Sequence, residues 1–282
     1  MRVSPLPGPF GVRVDDVDLA AAEAALFARL RALLYQHKAV CVAGQSLTPD
    51  RFLAFGQSFG EPIAHVLDAL RMPGFPEVMT LTSRVDPSSG KRTYFGGFWH
   101  TDQSYESAPA SATMLHAIEV PEEGGGTMIA DMAAAYDALD DGTKARIDGL
   151  VALHLYGNRD AGADEPDASP LVTDEQRART AWVRHPLVLR HPVTGRPALY
   201  GVAGTSRGIE GMDDEEALAL LGALKQHATQ ERFVYAHRYA PGDVLVWDTC
   251  ATLHRAGPVP AAEGPGTARV MRRISVRGHA PI

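Results

Sequence analysis

The stretch Phe98-Trp99-His100-Thr101-Asp102-Gln103-Ser104-Tyr105 sets an imidazole and a carboxylate two residues apart. On an extended strand successive side chains alternate faces, so His100 and Asp102 project to one side and Thr101 to the other. A converging imidazole and carboxylate are two of the three protein ligands of a two-histidine, one-carboxylate facial triad, which leaves positions open on Fe(II). His-x-Asp is a common spacing and by itself specifies no metal. The third ligand has to come from elsewhere, and the candidate is His254, where the strand-like run 243–247 enters a polar connection and the chain returns. A hydrogen-bonded core histidine would account for His254 equally simply. His37, His116, His154, His185, His191, His227 and His237 all sit beside apolar runs with no evident carboxylate partner.

A second chemistry lies in Arg269-Val270-Met271-Arg272-Arg273-Ile274-Ser275-Val276. Read as a strand, it carries Arg269, Met271 and Arg273 on one face. A guanidinium is a bidentate receptor for a carboxylate, and an arginine facing into a barrel needs an anionic partner. Two inward arginines ask for two anions. Standing alone, the segment also reads as an exposed basic edge strand that discourages aggregation.

The elements that must hold these residues are legible in outline. Leu19, Leu26, Leu30 and Leu33 or Leu34 recur at helical spacing over 18–38, with Asp16 or Asp18 available as a cap. Thr48-Pro49-Asp50 opens a second helix. Two more begin near Asp131 and Asp213. Short β-like runs fall at 39–43, 79–82, 112–118, 151–156, 187–190, 233–239, 243–247 and 270–276, with Pro241-Gly242 as a tight turn. Many short strands with few helices between them give no βαβ rhythm. The reading is mainly β with flanking helices, a sandwich or barrel, in one domain over 1–282. The polar, acidic segment 157–180 reads as a lid or flexible loop.

Composition narrows the function classes. At 282 residues, 45% hydrophobic and 22% charged, the chain can build a large core. A net charge of −7 without a basic run argues against nucleic acid, and no apolar run approaches a membrane span. Cys41 and Cys250 lie in separate apolar stretches, as buried thiols of a cytoplasmic protein do.

Five segments in order, Trp99-His100-Thr101-Asp102, Gly124-Gly125-Gly126-Thr127 with Ala130–Tyr136, His191-Pro192-Val193-Thr194-Gly195-Arg196, 242–256 and 269–273, resemble the taurine dioxygenase and 2,4-dichlorophenoxyacetate dioxygenase family over residues 39 onward. The resemblance implies a double-stranded β-helix (jelly-roll) core, Fe(II) on His100, Asp102 and His254, and 2-oxoglutarate and dioxygen as cosubstrates. It further implies that Thr127 and Arg269 receive the distal carboxylate of 2-oxoglutarate, that Arg273 faces the substrate, and that His65 contacts it. Succinate and CO₂ would be released as a small organic, anionic substrate is oxidised, with hydroxylation as the default outcome and desaturation by the same ligands as another. Asp102 argues against halogenation, since chloride would need its position. Tyr94-Phe95-Gly96-Gly97-Phe98 lacks the asparagine found near the sulfonate in taurine enzymes, which argues against taurine. Phe95, Phe98 and Tyr105 suggest a partly hydrophobic pocket. If Arg273 does not meet a substrate anion, an internal carboxylate such as Asp248 or Asp243 is its alternative partner. The competing enzyme class is a non-oxidative, cupin-like metal isomerase or hydrolase, which would need no receptor at Thr127 and Arg269. A homo-oligomer is suggested by the resemblance alone.

Overall fold

The computed structural model describes residues 1–85, 96–156, 181–259, 262 and 267–277. Its scaffold is a nine-stranded sheet in the order Arg2–Pro5, Val12–Asp15, Ala39–Val42, Val244–Asp248, Ala110–Glu119, Val270–Arg277, Phe75–Thr82 and Arg71–Met72, with Glu61–Pro62 also pairing Val270–Arg277. A three-stranded sheet, Val234–His237, Thr127–Asp131 and Thr252–Ala256, provides the second wall of the jelly roll. Leu115, Leu245, Trp247 and Met271 from the larger sheet meet Ile129 and Tyr235 from the smaller one in a shared buried cluster.

The period-two pattern of Val270–Arg277 explains why Arg273 turns inward. Met271 packs between the sheets, whereas Ile274 and Val276 pack outward with Leu30, Phe52 and Phe55 of the helices Ala24–His37 and Pro49–Gln57. Arg273 and Ser275 share the parity of Met271 and are buried. Fully burying each of these large apolar side chains stabilises the sheet by about 1.5–3 kcal/mol, which fixes the facing of the polar residues between them.

The first helix begins at Ala24, later than the expected 18. Neither Asp16 nor Asp18 caps it: the Asp18 carboxylate accepts from Ala20 N in a turn at 2.8 Å, and the helix starts after Glu23, which makes no side-chain cap bond. The helices at Asp131 and Asp213 start as expected, their carboxylates accepting from Ala134 N and Glu215 N. The helix Asp141–Ile147, capped by Asp140, and the strands Thr127–Asp131 and Thr252–Ala256 are additions to the sequence reading. Segment 157–180, read as a lid, lies outside the described residues, as does Phe95. Among the described residues no helix is long and apolar enough to cross a membrane. Cys41 and Cys250 are free and buried.

Candidate active site

His100 and His254 are brought together by the backbone. They form an isolated antiparallel bridge, His100 N donating to His254 O at 2.9 Å and His254 N to His100 O at 3.0 Å, with ring centroids 4.2 Å apart. Gly204 lets the chain cross this bridge closely: its φ is +78°, and a Cβ there would lie 2.8 Å from His100 Cβ. His100 Nδ1 donates to Phe98 O at 2.8 Å, which leaves the Nε2 lone pair facing inward.

Asp102 reaches the same point by a different route from the expected extended strand. The chain leaves the bridge at His100 and enters a turn over 102–105, with Gln103 at φ +50° and Glu106 N donating to Gln103 O at 2.9 Å. Asp102 Oδ1 then stands 3.6 Å from His100 Nε2, and Oδ2 stands 3.5 Å from His254 Nε2. These separations exceed ordinary hydrogen bonds. Ligands held about 2.1 Å from one ion sit roughly 3–4 Å from one another, so two imidazoles and a carboxylate at this spacing fit a single cation.

The electrostatics suit that use. Burial pushes the Asp102 carboxyl upward, but Arg273 and His254 outweigh it and hold the group well below the ordinary carboxylate range. Burial pushes His254 down to about 3, so its imidazole is neutral, the form that ligates metals.

Thr127 and Arg269 border the same cavity. Thr127 Oγ1 hydrogen-bonds Tyr239 OH at 2.8 Å, and Arg269 Nε donates to Gly125 O at 2.7 Å, which aims the guanidinium. Gly125, at φ +69°, is needed there, since a Cβ would come within 3.1 Å of Arg269 Cδ. Arg273 is also in the cavity wall and has an internal partner: its Nη2 lies 2.6 Å from Asp102 Oδ1. Neither Asp248 nor Asp243 takes that role; Asp248 pairs His191 at 2.8 Å, and Asp243 accepts from Ala240 N at 2.9 Å. His65 lines the cavity, and its Nδ1 accepts from Leu67 N at 3.1 Å, so its proton is on Nε2. Burial and the charge of Arg273 hold His65 down to about 3.

Phe98 and Tyr105 line the cavity as the sequence suggested, joined by Leu67, Met79, Tyr156 and Trp247. Sequence reasoning missed Thr113, Ser275 and Tyr239. Each is a buried hydroxyl at an inward position of its run, and that parity was the available signal.

The family model described as taurine catabolism dioxygenase TauD, TfdA family matches residues 2–275. The alpha-ketoglutarate-dependent 2,4-dichlorophenoxyacetate dioxygenase of Cupriavidus pinatubonensis is 34% identical over 264 residues, covering 89% of this chain and 90% of that one. An alpha-ketoglutarate-dependent sulfate ester dioxygenase of Pseudomonas putida is 29% identical over 293 residues, covering 100% and 91%. The crystal structure of AAD-2 in complex with Mn(II) and N-oxalylglycine superposes with a TM-score of 0.83 at 29% identity, covering 100% of this chain and 99% of that one. The non-oxidative isomerase or hydrolase has no counterpart among these relatives. A match that runs from the first strand of the large sheet into Val270–Arg277, the strand that bears Arg273, takes in both walls of the jelly roll, and with it the chain belongs to the TauD/TfdA family of Fe(II)- and 2-oxoglutarate-dependent dioxygenases.

Proposed function

We propose that His100, Asp102 and His254 hold the iron, that Thr127 and Arg269 receive the distal carboxylate of 2-oxoglutarate, and that Arg273 and His65 face a small organic anion, a carboxylate in the first instance, which the enzyme hydroxylates. When bound, iron with 2-oxoglutarate supplies the activation of dioxygen, with succinate and CO₂ as coproducts. The protein groups bind, orient and shield. Arg269 supplies a charge-assisted fork and Thr127 a hydroxyl, while Leu67, Phe98 and Trp247 keep the wall apolar.

The observation that carries the substrate class is the second buried guanidinium. Arg273 is 9% exposed and lies at the cavity beside Asp102. Taken together, an Fe(II) ion, the Asp102 carboxylate, the 2-oxoglutarate dianion and two arginines leave one positive charge in a desolvated pocket. A monoanionic substrate cancels it, and His65 Nε2–H offers a further donor. Isolated buried charge is costly, so this balance favours an acid over its neutral analogue. The names of the relatives, phenoxyacetate and sulfate ester dioxygenases, point to the same class.

The test is a panel of carboxylic acids, each paired with its amide and methyl ester, scored by substrate-dependent succinate release under air with added Fe(II). Acids are expected to be turned over and their neutral partners to be at least tenfold poorer, about 1.4 kcal/mol. Equal turnover of the neutral analogues overturns the anionic assignment. The same reading takes the chain as one catalytic domain in a reducing cytoplasm, which the two buried free thiols support.

A further inference from the structure

Four buried side chains close a ring behind the proposed metal site. Arg273 Nη2 lies 2.6 Å from Asp102 Oδ1 and donates to Ser275 Oγ at 2.8 Å; Ser275 Oγ is 2.8 Å from Thr113 Oγ1; and Thr113 Oγ1 donates to Asp102 Oδ2 at 2.6 Å. The strand register builds this ring, because Ser275 pairs directly with Thr113 on the adjacent strand and Arg273 lies one inward position further along.

The hydrogens of the ring can run in only one direction. A guanidinium has donors alone and an ionised carboxylate has acceptors alone. Ser275 therefore accepts from Arg273, and Thr113 spends its hydrogen on Asp102. The remaining hydrogen, on Ser275, goes to Thr113. Each hydroxyl then gives once and receives once within the ring, and the two carboxylate oxygens each have one donor behind and one imidazole in front. Thr113 is fully buried and Ser275 is 3% exposed, so water is a poor substitute for either.

We propose that Thr113 and Ser275 are positioning residues for the metal centre, holding the Asp102 carboxylate at the rotation that offers one oxygen to each imidazole. Without Thr113 the one donor left behind Asp102 among the described residues is Arg273, which pulls on Oδ1 alone and turns Oδ2 out of register with His254. Ser275 acts one step further back, orienting the Thr113 hydroxyl and sharing the Arg273 guanidinium with Asp102. The inference rests on the ligand set proposed above.

Calorimetric titration of the whole protein with Mn(II) under nitrogen tests it without reference to turnover. Thr113→Val, which keeps the shape and removes the hydroxyl, is expected to weaken Mn(II) by about 10- to 100-fold. Thr113→Ser restores the donor and is expected to stay within about twofold of the parent. Ser275→Ala should weaken Mn(II) several-fold, and the double variant Thr113→Val/Ser275→Ala should be no weaker than Thr113→Val alone, because hydroxyls acting in series do not add. Parent-like affinity in Thr113→Val, or a loss in Thr113→Ser equal to that in Thr113→Val, overturns the proposal. If circular dichroism shows Thr113→Val unfolded, Ser275→Ala decides: parent-like affinity there overturns it as well. Asp102→Ala separates the two levels, since unchanged Mn(II) affinity in that variant defeats the ligand set itself, whereas loss in Asp102→Ala with none in Thr113→Val defeats only the positioning role.

Discussion

Two buried histidine–aspartate clusters in this chain use the same side chains for opposite ends. At His100, Asp102 and His254 the imidazole nitrogens stand 3.5–3.6 Å from the carboxylate oxygens, with a cavity in front. At His191, Asp248 and Cys250 the contact is 2.8 Å, and both ring nitrogens and both carboxylate oxygens are used. His191 Nδ1 accepts from Val193 N and Thr194 N, so Nε2 carries the proton and donates it to Asp248 Oδ2, while Asp248 Oδ1 accepts from Cys250 N. A nitrogen whose proton is committed to a carboxylate has no lone pair for a metal. The second cluster is a brace that ties the 191–194 turn to the end of the Val244–Asp248 strand. The donor set is therefore a poor guide to a metal site; where the lone pairs point is the better one.

The largest expected effect tests that distinction directly. Asp102→Ala should abolish turnover and Mn(II) binding in folded protein, because a triad without one ligand lacks both affinity and geometry. Arg269→Ala comes next. It leaves the distal carboxylate of 2-oxoglutarate unpaired in a buried site, a loss of about 2–5 kcal/mol, to be read as a raised Michaelis constant for 2-oxoglutarate with Mn(II) affinity retained. An unchanged constant would move the receptor role to another basic residue, Arg273 first. Asp248→Asn should do the reverse of Asp102→Ala: one Mn(II) per chain is kept, but stability falls by about 2–3 kcal/mol as a buried pair is mismatched. Lost Mn(II) binding in folded Asp248→Asn would erase the contrast.

What was legible in the sequence follows the reach of local rules. The inward face shared by Met271 and Arg273 comes from a period of two within one strand, and Arg269, one residue before that strand, reaches the same cavity as Arg273. The Asp131 and Asp213 caps are likewise local. The His191–Asp248 pair was invisible because its members lie 57 positions apart and meet only when the chain folds back. The counter-charge of Arg273 was missed for the same reason: Asp243 and Asp248 are nearby in sequence, but Asp102 is nearby in space. Even the His-x-Asp pair converges by a bridge and a turn rather than by the alternation that drew attention to it. The strands Thr127–Asp131 and Thr252–Ala256 are five residues each, too short for periodicity to single them out.

A third cluster lies between the two extremes and predicts a pH dependence. His237 Nδ1 contacts Tyr235 OH at 2.7 Å, while Nε2 is 3.9 Å from Asp243 Oδ2. Burial holds His237 down to about 4, and burial, with His185 and Arg207 nearby, holds His154 down to about 3. In the unfolded chain both titrate near 6.5. Between that value and about 4 the unfolded chain binds protons that the folded chain refuses, so stability falls as pH falls, by about 1.4 kcal/mol per pH unit for each histidine. Above 6.5 these two groups contribute no slope. Urea unfolding at pH 7.5, 6 and 5 should show the decline, and His154→Gln should flatten it by one proton. A slope that His237→Gln leaves unchanged would mean that His237 is charged in the fold and paired with Asp243, making that cluster a second ion-pair brace.

The smallest expected effect concerns the cysteine that makes the brace resemble a metal site. Cys250 packs with Leu189 and Tyr200, and its only hydrogen bond to Asp248 is through the backbone N–H, which any residue but proline keeps. Burial and the neighbouring Asp248 push its thiol upward, away from the thiolate that ligates metals. Cys250→Ala should therefore cost only the packing of one sulfur atom, about 1 kcal/mol, read as a fall of roughly 2–4 °C in melting temperature. Mn(II) stoichiometry should stay at one per chain. Co(II) sharpens the test, because a thiolate ligand gives it a charge-transfer absorption that imidazole and carboxylate do not. The parent protein loaded with Co(II) should lack that absorption; if it is present and disappears in Cys250→Ala, the cluster at His191 holds an ion and the contrast between the two sites fails.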